Sequence, residues 1–287
     1  MGRRGGEATA DYPRTERKIY ENAFSKVSSW GRPSQAQCAV AQYSKGMDRR
    51  ETRARGDEFQ IRPYEPGDLE AVYEICLLTG DSGRDASDLY DDPMALGHLY
   101  AAPYVTLEPE LAFVLEVVPG ATGHTLFPRA TNGDMWRGRG DPPLSLPVGT
   151  YVEKCPAKKH PQPKRVCGYV LGALDTVAFH EAFVSRWLPE LQKQVPDPQG
   201  EPEEWTPTER VYHRLHHPQM SVPDELELYP SHLHIDLLPH AQGRGQGRRL
   251  METFLEALRR KGSPGVHLGV GERNVRAQGF YRRLGFR

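Results

Sequence analysis

No stretch of this 287-residue sequence approaches the roughly 18 consecutive apolar residues of a membrane-spanning helix. The start, Met1-Gly-Arg-Arg-Gly-Gly-Glu, lacks the apolar centre of a signal peptide, and Gly6 departs from the N-myristoylation pattern. Cysteine is scarce. Cys38, Cys76, Cys155 and Cys167 stand far apart with no CxxC pair, which excludes a compact disulfide framework. Excess charge of either sign is missing too: the formal net charge is -1, so bulk attraction to nucleic acid or to an anionic membrane is excluded. These absences predict a soluble intracellular protein, cytoplasmic with a nuclear location open, and with neither membrane nor nucleic acid as partner.

With 38% hydrophobic residues the chain can bury a core, but the apolar residues are unevenly placed. Residues 1–57 are polar, rich in Arg, Ser, Gly and Gln, and show no sustained period; they are expected to be a disordered extension. Residues 58–287 are expected to form one domain. In it, Phe59-Gln-Ile-Arg62 alternates like a strand, and Asp68 can cap a helix carrying Leu69, Val72, Tyr73 and Cys76. Leu111–Val117 and Val166–Asp175 read as strands, separated by an irregular Gly/Pro-rich insertion, 119–165.

A helical insertion, 178–230, follows. It is signalled by Phe179, Phe183, Trp187, Leu188 and Leu191 on one face, with Pro189 as a kink or break, and by the capping box Thr206-Pro-Thr-Glu209. A strand over 232–238, a helix with Leu250, Met251, Phe254, Leu255 and Leu258 on one stripe, a strand over 266–270 and a last helix complete the pattern. The order is β–α–β–β, insertion, β–α–β–α.

Between the strand at 232–238 and its helix stands Gln242-Gly-Arg-Gly-Gln-Gly-Arg-Arg249. A P-loop requires Lys-Ser/Thr after its last glycine, and a dinucleotide fingerprint requires glycine at 248; both positions hold Arg. Arg-Gly repeats of RNA-binding tails are disordered, whereas this one lies between a strand and a strongly periodic helix. Either it is a plain structural turn, or its bare backbone lets a diphosphate approach amides at a helix N-terminus, with Arg244, Arg248 and Arg249 adding positive field. His213 and His217 lie one helical turn apart, but no third ligand and no HExxH glutamate accompany them in sequence, so no metal is expected.

Two motifs then resemble a known family. Gln242-Gly-Arg-Gly245-Gln-Gly247 and Asn274-Val-Arg-Ala277-Gln-Gly-Phe280-Tyr281-Arg-Arg-Leu284-Gly285-Phe286 are similar to the two signatures of the GNAT superfamily of N-acetyltransferases. Ile61–Pro66, Gly168–Asp175 and Ser185–Pro189 resemble in particular the acetyltransferase-like domain of O-GlcNAc hydrolase and its free-standing bacterial relatives. No glycosidase domain accompanies it here. The resemblance implies an α/β GNAT fold, a mixed, splayed β-sheet flanked by helices, with a helical insertion before the fourth strand.

It also implies acetyl-CoA as co-substrate, lying in a V-shaped opening between the strands at 232–238 and 266–270, and direct transfer of acetyl to a primary amine of a small molecule or lysine side chain. A non-catalytic acetyl-CoA-binding or protein-interaction module is the alternative. The implied cofactor contacts are Leu237 and Leu238 on the strand, then Gln242, Gly243, Arg244, Gly245, Gln246, Gly247 and Arg248 in the turn, and Asn274, Phe280 and Tyr281 in the second signature.

Tyr281 takes the place of the family's general acid, and an amide near Leu237 or Leu238 that of the oxyanion donor. The family's usual base positions hold Ser231 and Leu233. Asp236 is therefore the favoured base and Asp175 the second choice; a strand bulge would instead bring in His232 or His234. For each Asp, turn capping or pairing with Arg stands as the alternative. The acidic loop Asp81–Asp92 faces either a cationic acceptor or solvent. The family also continues past Phe286 into a final strand, so another segment is expected to complete the sheet if nothing follows Arg287.

Overall fold

The computed structural model describes residues 36–42, 58–118, 166–220 and 222–287. The elements run β1 (Ala36–Gln42), β2 (Glu58–Pro63), α1 (Leu69–Leu78), α2 (Ala95–Tyr100), α3 (Ala102–Leu107), β3 (Ala112–Val118) and β4 (Val166–Ala173). Then come α4 (Thr176–Ala182), α5 (Leu188–Gln192), α6 (Pro207–His216), β5 (Ser231–Leu237), α7 (Gln246–Arg260), β6 (Gly265–Gly271) and α8 (Val275–Arg283). One sheet takes the order β1-β6-β5-β4-β3-β2. β2 to β5 pair antiparallel and β5 pairs β6 parallel.

Two apolar cores sandwich this sheet. β4 is buried along its whole length, because one face meets Val72, Ile75, Trp187 and Leu188 and the other meets α7 through Met251 and Phe254; covering both faces is what a continuous apolar strand requires. α7 begins in the glycine turn and ends at Gly262, whose φ of 84° is the left-handed conformation that stops helices.

Where the sequence expectations and the structure differ, local chemistry explains the difference. Asp68 makes no cap bond to α1; its buried carboxylate instead grips Arg62 at 2.6 and 2.8 Å and accepts the Glu65 N–H at 2.9 Å. Residues 95–107, to which the sequence reading assigns no element, form α2 and α3; six-residue helices hold too few turns to show a period. Pro189 ends nothing. A π-helical turn, Phe183–Trp187, joins α4 to α5 just before it, absorbing the missing proline N–H. The capping box at Thr206 and Glu209 is present as read.

Of the extension 1–57, only Ala36–Gln42 is described. Ala36–Gln42 is a strand, β1, not a structureless tail, and it lies beside β6 at the sheet edge. A segment from early in the chain thus takes the edge that the family pattern assigns to a C-terminal strand, satisfying backbone groups that an open edge leaves unpaired. The irregular insertion 119–165 lies outside the described residues. Among the described residues no helix is long and apolar enough to cross a membrane.

Candidate functional site

The sheet opens where β5 meets β6. These strands share only the pairs Ser231↔Val266 and His232↔His267, whereas β4 and β5 stay in register from Gly168↔Leu237 to Ala173↔His232. Beyond His232 the two parallel strands separate, and the wedge widens toward the glycine turn.

Three glycines shape that turn for two reasons. Gly243 (φ 72°) and Gly245 (φ 76°) adopt the left-handed conformation, and a Cβ on either would meet nothing within 4 Å, so open space lies above both. Gly247 is helical, and a Cβ there would come within 3.3 Å of the Phe280 ring; it lets α7 pack close to α8. Gly245 stands at the N-cap of α7 with no side-chain cap, leaving first-turn amides without the usual partner.

Side chains brace the turn more than they charge it. Gln242 donates to Leu237 O at 2.6 Å, and buried Gln246 donates to Arg244 O at 3.2 Å. Arg248 pairs with Glu252 at 2.9 Å, and Arg249 turns back to Phe59 O at 3.2 Å and Gln246 Oε1 at 2.8 Å. Arg244, 5.9 Å from the Phe59 ring centre, is exposed at the turn.

The β4–β5 ladder fixes where the backbone of β5 points. Leu238 N–H donates to Cys167 O at 2.9 Å, so that amide is committed to the sheet. Residues alternate sides in an antiparallel ladder, which turns the N–H and C=O of Leu237 toward β6 and into the wedge. The carbonyl is held by Gln242; the amide faces the opening.

Asp236 and Tyr281 flank this point. Asp236 Oδ2 accepts the Tyr169 hydroxyl at 2.8 Å. Burial pushes its carboxyl above the ordinary value, against the hydrogen bond from Tyr169. The Tyr281 ring is buried against Phe280 and Phe286. Burial, and after it the charge of Asp236, pushes the phenol upward, so it stays protonated through the neutral range. Asn274 caps α8 through Ala277 N–H at 3.1 Å.

Comparison with known proteins bears on the same region. A family model described as "Acetyltransferase (GNAT) family" matches residues 221–286, from ahead of β5 through α8. A solved structure described as "Crystal structure of SsHAT" matches with a TM-score of 0.60 and 38% sequence identity, over 80% of this chain and 91% of that one. The chain belongs to the GNAT acetyltransferase family. Protein O-GlcNAcase of Rattus norvegicus and of Mus musculus are each 23% identical over 228 residues, 79% of this chain and 20% of theirs. The chain thus spans a fifth of the length of these curated relatives.

Within this GNAT chain, the remaining sequence candidates separate clearly. Asp175 is exposed and accepts the Ala178 N–H at 2.9 Å, capping α4; the capping alternative is the one found. No bulge interrupts β5 in its pairing with β4, so His232 and His234 do not shift register. They share the face of Asp236. In the acidic loop, Asp81 pairs with Arg84, Asp85 holds Ser87, and Asp92 bonds Met94 N–H and the Tyr212 hydroxyl. Most of those carboxylates serve the loop itself.

The two histidines form a chain of hydrogen bonds that sequence alone does not reveal. The Thr176 hydroxyl donates to Pro230 O at 2.7 Å, so at 2.8 Å it accepts from His232 Nδ1–H. Nε2 of His232 then accepts the Tyr104 hydroxyl at 2.9 Å, and the same oxygen accepts His234 Nε2–H at 3.0 Å. Burial keeps both rings neutral, with His234 lowered to about 4. Tyr104 and Thr176 carry no motif, and Tyr169 stands within Gly168–Asp175 with no role assigned to it there; cross-strand register and helix docking bring them here.

Proposed function

We propose that this chain is an acetyl-CoA-dependent N-acetyltransferase that moves acetyl to a primary amine by direct attack. The observation that carries this reading is the meeting, at the wide end of the β5–β6 wedge, of an uncapped glycine turn, the inward Leu237 amide, Asp236 and Tyr281. Acetyl-CoA supplies the activated acyl group as a thioester. The open space over Gly243 and Gly245 fits a pyrophosphate against main-chain amides.

The residues then divide the work. The amides from Gly243 to Arg248 hold the phosphates, with Arg244 as an exposed cation and Arg248 contributing on exchange from Glu252. Gln242 fixes Leu237, and Leu237 with Leu238 lines the strand edge that the acyl arm follows. Asn274 starts α8 so that Phe280 and Tyr281 wall the opposite side. Gln246 and Gly247 hold the helix start in place.

A protonated alkyl amine, pKa about 10, must lose a proton before it attacks. Asp236, with its carboxyl raised by burial, takes that proton directly or through water. The amine nitrogen bonds the acyl carbon, Leu237 N–H stabilises charge on the carbonyl oxygen, the carbon–sulfur bond breaks as Tyr281 gives its proton to the departing sulfur, and the second proton shed by the new amide nitrogen restores the phenol. The products are an acetamide and a thiol. The acceptor class is an amine on a small molecule or a lysine side chain.

A second reading is a non-catalytic acetyl-CoA-binding or protein-interaction module. It is favoured by the family's base positions, where Ser231 is spent on Leu174 O and Ser263 and Leu233 sits in the core. Calorimetric titration of acetyl-CoA, followed by a screen of amines for thiol release, separates the two. Binding with amine-dependent release supports the transferase; binding without release across a broad panel supports the module; absence of binding removes both cofactor readings.

A further inference from the structure

The pair His213 and His217, one helical turn apart, lacks a third ligand in sequence, and the fold supplies it. Lys193 to Thr206 connects α5 to α6 with only turns and irregular backbone. Asp197, in that connection, lies against the C-terminal end of α6. Ligand-capable atoms of Asp197, His213 and His217 all lie within 4.8 Å of one another.

Two of those atoms are orphans. Asp197 Oδ1 and His213 Nδ1 are both buried, and neither has a hydrogen-bond partner. They face each other at 3.7 Å, beyond hydrogen-bond range. Two ligand atoms of one tetrahedral zinc ion, at bonds of about 2.0–2.1 Å, stand about 3.3 Å apart, so a single ion between them satisfies both with a small rotation. His217 Nε2, 2.9 Å from Asp197 Oδ2, is placed to complete the set. A buried donor or acceptor left unpaired costs about 1–3 kcal/mol, which gives these atoms a reason to share a cation.

The surroundings hold the ligands without competing for the ion. Trp205 packs on the His213 ring at 4.6 Å between centroids, and its indole N–H is engaged by Gln199 O. Neighbouring His216 turns away to Val195 O at 2.9 Å. Two imidazoles and one carboxylate with a fourth position open to water suit zinc and its neighbours among divalent transition metals.

We propose that Asp197, His213 and His217 bind one divalent transition-metal ion of the zinc type, which clips the α5–α6 connection onto α6. The site stands apart from the β5–β6 wedge in its residues and does not depend on the acetyl-transfer reading. The test uses the full chain without a polyhistidine tag, stripped with chelator and titrated with Zn2+ against a chromophoric competitor, and with Co2+ by absorption.

Wild type is expected to bind one ion saturably at micromolar or tighter affinity. Cobalt should show the intense bands of low coordination number, and zinc should slow proteolysis within 193–206. His213→Ala and Asp197→Ala should each weaken binding about tenfold or more, while His180→Ala, on α4, leaves it unchanged. Because the wild-type titration needs no variant to fold, lack of saturable binding there overturns the proposal. So does undiminished affinity in a folded His213→Ala/His217→Ala double variant.

Discussion

Tyr169 and Asp236 sit directly opposite each other on β4 and β5, and the phenol donates to the carboxylate at 2.8 Å. That bond opposes the effect of burial, which raises the Asp236 carboxyl. If Asp236 is the base, it must be ionised to act, so activity rises with pH through its raised pKa. Tyr169→Phe removes a contact that favours the ion, and the acid limb of kcat/KM is expected to move to higher pH. Asp236→Asn should cut kcat by about 10²–10⁴-fold at all pH values while acetyl-CoA affinity, measured calorimetrically, stays near wild type. A pH profile unmoved by Tyr169→Phe would take the carboxylate out of the mechanism.

Tyr281 is tested by a different split. Tyr281→Phe keeps the ring against Phe280 and Phe286 and deletes only the proton donor. Turnover is expected to fall about 10²–10⁴-fold, with cofactor affinity and thermal midpoint little changed. An acceptor amine paired with a thioester of a more acidic thiol should recover much of the loss, because its leaving group needs less protonation.

The glycine turn predicts an ordered series. At Gly245 an added methyl meets no protein atom but enters the open space and a left-handed backbone. Gly245→Ala should therefore cost about 1–2 kcal/mol in urea unfolding and weaken CoA about tenfold or more through lost phosphate hydrogen bonds. Gly247→Ala presses on the Phe280 ring at 3.3 Å and should disturb stability with less effect on CoA. The reverse ranking of CoA affinities would place the phosphates elsewhere.

How much of this was legible in the chain depends on the range of the interactions involved. The glycine turn, the α7 stripe, the Thr206 capping box and the second signature are local patterns, and the structure bears out the fold they imply. Asp68 looked like a cap because capping is local; its partner Arg62 reaches it across the end of β2. Asp175 offered two local readings, and the structure shows the capping contact with the Ala178 N–H. Tyr169, Tyr104 and Thr176 come to the β5 face through register and helix docking between distant segments, and Asp197 reaches its histidines the same way. β1 shows least in sequence, since a short edge strand needs only a partner with free backbone groups.

The Arg62–Asp68 pair sets a stability prediction independent of any catalysis. Asp68 is fully buried in its side chain, and Arg62 also reaches Glu116 at 2.7 Å. Removing Asp68 takes two charge-assisted hydrogen bonds from Arg62 and leaves it with Glu116 alone as ion-pair partner, so Asp68→Ala should destabilise by about 1–3 kcal/mol. Chemical denaturation reads this directly, and a cost below about 1 kcal/mol would mean the pair behaves as a surface bridge.

The histidines of β5 predict how stability itself responds to acid. In the fold His232 and His234 are held neutral by burial, with His267 and Arg214 adding like charge nearby; Tyr104 and Thr176 face them with hydroxyls, and Asp236 follows on the same strand face. Unfolded, each ring titrates near its ordinary value of about 6.5. Above that pH both states are neutral and the pair contributes no pH dependence. As pH falls from about 6.5 towards the folded value of about 4 for His234, the unfolded chain takes up protons that the folded chain refuses, and stability drops. Below the folded value the difference is complete. The thermal midpoint should therefore fall over this window, and His232→Gln/His234→Gln should flatten the slope even though it loosens the Tyr104 network at neutral pH. An unchanged slope in the double variant would assign acid lability to other groups and return these imidazoles to the ordinary range.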